Sequence, residues 1–454
     1  MRVKDCREIG PSPAIEPGPA ARRRDETYDS TSTSANAADG PGSAAGRREI
    51  LRQSLSWLLA AGVASLGCSD LCEPSEGTLC TVVGTGEAGF SGDGADARTA
   101  KLYTPMDVSV GPDGRLFVVD WNNHRVRAVG QDHIIETVAG SGDLGDGPPG
   151  PALEADFNHP TSVTFDDRGR MWIAAWHNSR IRRVDLESGV MDDICGTGGR
   201  SYVGDGGPAT LAVLDLPAGI AFDADDNLIV VDQANQVLRR INTDGTIERI
   251  AGQCVVDMSG CGSGDAPGQC PGSDKLSCDM AMCARPCIGA FGGDGGDAMQ
   301  ARFWMPTGQD ADPAGRVVLD GEGNIFLADT GNHRIRRIGT DSVVTTIAGT
   351  DTRGFAGDGG PATEAQLDSP VDVDFGSDGT LYIADTGNSC IRAISPDGIM
   401  STVAGVCGTR GDATDGEPAT EGLLFRPYGI AVHEGLLYIA DTRNNRVRVV
   451  GLGE

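Results

Sequence analysis

Apolar and polar positions alternate in short runs of four to six residues along most of the chain, and clusters of Gly, Asn, Asp and Pro end each run. The stretch 371–375 alternates and stops at Gly376-Ser377-Asp378-Gly379. The next run, 380–384, stops at Asp385-Thr386-Gly387-Asn388. A third, 390–394, stops at Ser395-Pro396-Asp397-Gly398, and a fourth covers 399–404. Period-two runs of this length between turn residues predict four antiparallel strands in a meander.

The same four-strand unit recurs. Its second strand ends in Phe117-Val118-Val119-Asp120, Trp172-Ile173-Ala174-Ala175, Ile229-Val230-Val231-Asp232, Phe326-Leu327-Ala328-Asp329, Leu381-Tyr382-Ile383-Ala384-Asp385 and Leu437-Tyr438-Ile439-Ala440-Asp441, each followed three residues later by Asn. These anchors are spaced 55, 57, 97, 56 and 56 residues apart, so the fourth unit is swollen by 41. Six copies of a four-stranded unit predict an all-β, six-bladed β-propeller over residues 80–450. The last copy ends after its third strand. Thr81-Val82-Val83-Gly84 matches the fourth-strand motif, so the N-terminal strand is expected to close the last blade and remove the ring's open edge.

The pattern Tyr-Ile-Ala-Asp-Thr-Gly-Asn, with Arg-Ile-Arg two residues on, resembles the NHL repeat. The resemblance spans 80–450. It implies a propeller used for binding, in settings from signalling receptors to extracellular proteins, with a few enzymes among its members. It says far more about fold than about function.

Three polar series follow the repeat. Asp120, Asp232, Asp329, Asp385 and Asp441 end the second strands, with Ala175 breaking the set. They are expected to be structural, the carboxylate accepting from the backbone N–H two residues on. Asp93, Asp146, Asp205, Asp294, Asp358 and Asp415 sit in Gly-rich loops between blades. They predict an acidic face on the side shared with the second-to-third turns, and a candidate cation site there. Calcium is the one ion this chemistry suggests, although each loop offers one carboxylate where a dedicated calcium loop offers several. No other cofactor and no metal ligand set is assigned. Arg127, Arg182, Arg239, Arg336, Arg392 and Arg448 occupy all six third strands and are expected to pair with carboxylates of a neighbouring blade. His124 and His333 share a repeat position on opposite sides of the ring, and His159 stands alone near the axis. No catalytic residue can be assembled from them.

The swelling of the fourth unit has two parts. One, about 254–287, carries Cys254, Cys261, Cys270, Cys278, Cys283 and Cys287, which read as three disulfides of undetermined pairing. About eight further residues lie around Gln309 to Arg316. Elsewhere Cys72 and Cys80, and Cys390 and Cys407, are candidate pairs, leaving Cys195. Upstream, 1–46 has no apolar period and reads as disordered or as a misassigned start. Residues 47–67 read as a signal peptide. Arg47-Arg48 with Ile50-Leu51-Arg52 resembles a twin-arginine export signal, and Ser65-Leu66-Gly67-Cys68 resembles a bacterial lipobox. Cys68 is then the lipid attachment site and 68–79 a tether.

Composition narrows the reading. The chain has 454 residues, 66 Gly and a net charge of −28. The Gly share fits turn-rich repetition. The acidity excludes a nucleic-acid partner of the usual kind, since phosphate backbones demand a basic face. No apolar run is long enough for a polytopic membrane protein. The expectation is an exported, lipid-anchored monomer on the periplasmic or extracellular side that binds a protein or surface glycan. The alternative is a metal-dependent lyase or lactonase using the central channel.

Overall fold

The computed structural model describes residues 72–255, 287–307 and 311–453, and residues 68–454 form one compact unit. The signal segment, Cys68, and Cys261, Cys270, Cys278 and Cys283 lie outside the described residues.

Six antiparallel sheets make the six blades. Blade one runs Pro105–Val110, Leu116–Asp120, Arg125–Val129 and Ile134–Ala139. Blade five runs Asp372–Phe375, Leu381–Asp385, Cys390–Ile394 and Met400–Ala404, within a residue or two of the runs read from the alternation. In blade six, Thr78–Val83 pairs with Arg446–Gly451, so the N-terminal strand is the fourth strand of the last blade. Four blades gain a further two-residue outer strand, such as Ala95–Asp96 against Ile134–Ala139.

The core lies between neighbouring sheets. Phe117 and Ala128 of blade one pack against Phe157, Val163, Met171 and Ile173 of blade two. Alternation thus puts apolar side chains on both faces of each blade, and ring closure leaves every face covered.

Two local devices repeat with the blades. The fourth strand ends at a glycine with positive φ, for example +100° at Gly140, where a Cβ would stand 2.3 Å from the His124 carbonyl oxygen. The equivalent Gly84, Gly196, Gly252, Gly349 and Gly405 meet the same crowding. Only a residue without a side chain lets the strand pass the second-to-third turn this closely. The pairing of third with fourth strand also shifts register at the arginine in every blade, as between Val126 and Arg127. Such a bulge re-aims the side chain it carries.

Candidate functional site

That re-aimed arginine is fully buried in all six blades. In blade one, Arg127 Nη2 donates to Asp93 Oδ1 at 2.6 Å, and its Nη1 lies 3.6 Å from Asp120 Oδ2. Asn123 donates to Asp120 at 2.8 Å and to the Gly89 carbonyl at 2.8 Å. Asp120 also accepts the Tyr103 N–H at 2.7 Å. The same Asp–Asn–Arg knot holds Asp232, Asp329, Asp385 and Asp441.

This changes three expectations. The strand-end carboxylates accept no backbone N–H from the turn that follows them, only the side-chain amide of its Asn. They reach instead to the loop that enters their own blade, because they are buried where that loop crosses the sheet end. The arginines pair within their own blade rather than with a neighbour, since the inter-blade loop folds back over the sheet it leads into. The loop carboxylates Asp93, Asp146, Asp205, Asp294, Asp358 and Asp415 each meet one of these guanidiniums, so the charge they bring to that face is paired. Among the described residues no three His, Cys, Asp or Glu side chains gather as metal ligands.

Blade two, where Ala175 replaces Asp, is repaired from another strand. Arg182 pairs with Asp193 on the fourth strand at 3.1 Å as well as with Asp146. In blades one, four, five and six the position of Asp193 holds Thr137, Thr346, Thr402 and Thr81, whose hydroxyls donate to the loop carboxylate. Burial pushes the strand-end carboxyls up, to about 6 for Asp120, Asp329 and Asp441 and about 7 for Asp232 and Asp385.

The channel is where the blades differ. One position of the first strand carries Asp107, Ser162, Gly219, Arg316, Asp372 and Gly429 around the ring. Arg316 crosses it and bonds Asp107, the Met106 carbonyl at 2.8 Å and the Thr161 carbonyl, with Asp372 at 3.5 Å. The strands stand close: a Cβ at Gly429 would lie 2.6 Å from the Asp107 Cα, and one at Gly219 would lie 2.8 Å from the Arg316 Cα. Asp107 also accepts from the Val163 N–H at 2.9 Å, and Asp372 from the Ile430 N–H at 2.9 Å, so each carboxylate ties its blade to the next. Burial raises all three channel carboxyls, Asp372 to about 7 and Asp374 to about 6. The remaining space, lined in part by Ser109, Thr164 and Asp374, is about 150 Å³.

Above this plug, Trp121 packs on one side against Met106, Val371 and Tyr428 and on the other against Trp176, Leu216 and Ala218. Those residues come from blades one, five and six and from blades two and three, so Trp121 lies across the axis. Its Nε1 is buried with no hydrogen-bond partner among the described residues. Beside it His159 is not alone: His124 lies 4.8 Å away and His177 5.0 Å away, ring centre to ring centre. Burial lowers His159 and His177 to about 4. The sequence held one signal of this asymmetry. The residue after each strand-end anchor is Trp121, Trp176 and Gln233 in blades one to three, but Thr330, Thr386 and Thr442 in the others. His333 is apart from this group and accepts the Ser369 N–H at 3.0 Å.

Outside the axis the inter-blade loops present exposed apolar side chains: Phe90, Leu144, Val203, Phe291 and Phe355, with Tyr103 and Trp304. Arg125 stacks on Phe90 at 3.9 Å and Arg334 on Phe291 at 4.1 Å. Disulfides join Cys72 to Cys80, Cys390 to Cys407, and Cys254 to Cys287, the first and last cysteines of the insertion. Cys195 is buried and has no disulfide partner among the described residues, its thiol pushed up to about 12. No described helix is long and apolar enough to cross a membrane.

Comparison with known proteins agrees with this architecture. A family model described as NHL repeat matches residues 102–128, in blade one, and one described as Teneurin NHL domain matches 322–395, in blades four and five. Teneurin-4 of Mus musculus is 26% identical over 385 residues, covering 77% of this chain and 12% of its own. NHL repeat-containing protein 2 of Gallus gallus is 26% identical over 369 residues, covering 77% of this chain and 47% of its own. The chain thus spans less than half the length of these relatives. Among solved structures, an auxiliary nutrient binding protein from Bacteroides ovatus superposes with TM-score 0.55 at 15% identity, over 83% of this chain and 77% of that one. A Bacteroides thetaiotaomicron protein of unknown function gives TM-score 0.57 at 18% identity, over 84% and 76%. The six-sheet ring makes this chain a six-bladed propeller, and two stretches of it, in blade one and in blades four and five, match NHL models.

Proposed function

We propose that this propeller is exported, lipid-anchored through Cys68, and works by binding a protein or glycan partner on the face formed by the inter-blade loops. The observation that carries this reading is the crown of exposed side chains on that face, with Phe355 53% exposed, Trp304 49% and Phe291 46%. Aromatic and apolar groups on rigid loops supply contact area at low entropic cost, and solvent-facing clusters of them mark interaction surfaces. The three described disulfides fit an oxidising compartment, and the matched NHL models fit a propeller used for binding. Against channel chemistry, the axis is filled at two levels by Trp121 and Arg316, and a cavity of about 150 Å³ is below the roughly 300–1,000 Å³ of small-molecule sites.

The test compares the wild-type protein with the triple variant Phe90→Ser/Phe291→Ser/Phe355→Ser on a glycan array and in crosslinking at the surface of the native cell. Loss of a wild-type contact in a variant with unchanged circular dichroism supports the reading. Retention of every contact refutes this face. Metabolic labelling with palmitate that is lost in Cys68→Ala tests the anchor separately.

A further inference from the structure

Three lone-pair atoms converge at the head of blade two. His159 Nδ1 stands 3.0 Å from His177 Nδ1 and 2.9 Å from Asn158 Oδ1, and His177 Nδ1 stands 3.3 Å from the same oxygen. Two ligand atoms bound at about 2.1 Å to one ion, at an angle of roughly 90–105°, lie roughly 3.0–3.3 Å apart. The triangle therefore has the dimensions of one face of a coordination polyhedron.

Hydrogen bonding among the three atoms accounts for only part of it. Each neutral imidazole carries one ring proton, and an amide oxygen only accepts. At most two of the three edges can hold an N–H, and at least one edge sets like against like, N–H against N–H or lone pair against lone pair. The two rings are also held in place. Trp176 stacks on His177 with ring centres 4.1 Å apart, and Trp121 covers His159 at 4.3 Å. The backbone carrying them is pinned by Asn158 N–H to Asn178 Oδ1 at 2.8 Å and by His177 N–H to the Asn158 carbonyl at 3.2 Å. All three residues are half-buried, so solvent reaches part of the group.

We propose that His159, His177 and Asn158 form a binding site for a first-row divalent transition-metal ion. Two imidazole nitrogens and one amide oxygen suit nickel, copper or zinc rather than calcium or magnesium. Water or a partner's side chain would complete the remaining coordination positions. His124, whose Nδ1 is buried without a partner among the described residues, stands next to the site on the His159 side.

The stacked tryptophans provide the readout. Nickel chloride titrated into the full-length protein is expected to quench tryptophan emission saturably, with excess zinc reversing it by competition. His159→Ala and His177→Gln should each weaken the apparent affinity at least about tenfold, and Asn158→Ala should weaken it less. His333→Ala, which alters the blade-four counterpart of His124, should leave the titration unchanged. Absence of saturable quenching up to about 1 mM nickel, or titrations of His159→Ala and His177→Gln that overlay the wild type, would overturn the site.

Discussion

Arg316 of blade four reaches across the ring axis to Asp107 of blade one, 209 residues away in sequence. One guanidinium joins blades one, two, four and five, through Asp107, the Thr161 carbonyl and Asp372. No other first strand places a cation at that level.

Arg316→Ala leaves two buried carboxylates without their cation. Breaking a buried pair in this way costs about 3–5 kcal/mol. The triple change Arg316→Met/Asp107→Asn/Asp372→Asn removes the charges together and is expected to recover most of that loss. Urea denaturation of both variants checks this. Equal stability of Arg316→Ala and wild type would show that the plug does not hold the ring.

Blade two offers a double-mutant cycle. Asp193→Thr leaves the buried Arg182 with only the loop carboxylate Asp146, and should destabilise by about 1–3 kcal/mol. Ala175→Asp in the same background rebuilds the knot seen in the other five blades and should restore stability. In wild type, Ala175→Asp adds a second buried carboxylate beside Asp193 and should destabilise. Effects that simply add would refute the compensation.

Stability should rise as the pH falls from about 8 to 5. Seven buried carboxyls, Asp120, Asp232, Asp329, Asp372, Asp374, Asp385 and Asp441, have folded values of about 6 or 7 against an ordinary 3.8. A folded value above the unfolded one means the folded chain binds the proton more tightly. The stabilisation is complete below the unfolded value and is lost as pH rises through the folded one. His124, His159, His177 and His333, all lowered by burial from 6.5, work the other way, but they are four against seven. Asp96, held at about 2 by Arg98, loses its contribution only in stronger acid. Thermal melts across this range provide the check. A melting temperature that is flat or falls from pH 8 to 5 would contradict the assignment.

Deleting residues 80–84 should lower the unfolding temperature of the whole ring in a single transition. The closing strand supplies the fourth strand of blade six, and Thr81 accepts from Arg448 at 2.8 Å while donating to Asp415 at 2.7 Å. A melt indistinguishable from wild type would show the closure to be dispensable.

Period-two alternation and the spacing of the anchors were enough to read six four-stranded blades and the closing strand, because strand pairing within a blade is local and repeated. The pairs Cys72–Cys80 and Cys390–Cys407 were legible as candidates for the same reason: their partners are close in sequence. The role of Asp120 and its equivalents was not. A turn bond and a buried knot begin from the same four letters, and only the path of a loop some 17 residues earlier decides between them. The channel plug and the histidine group were hidden more deeply. Which residues share one height at the axis depends on first strands lying 55 or more positions apart, and Arg316 sits in the one blade whose first-strand entry is lengthened. Sequence thus determined the ring and its count, since those follow from local hydrogen bonding and burial. Only the closed tertiary ring decided what meets at its centre, because that meeting requires all six blades to converge on one axis.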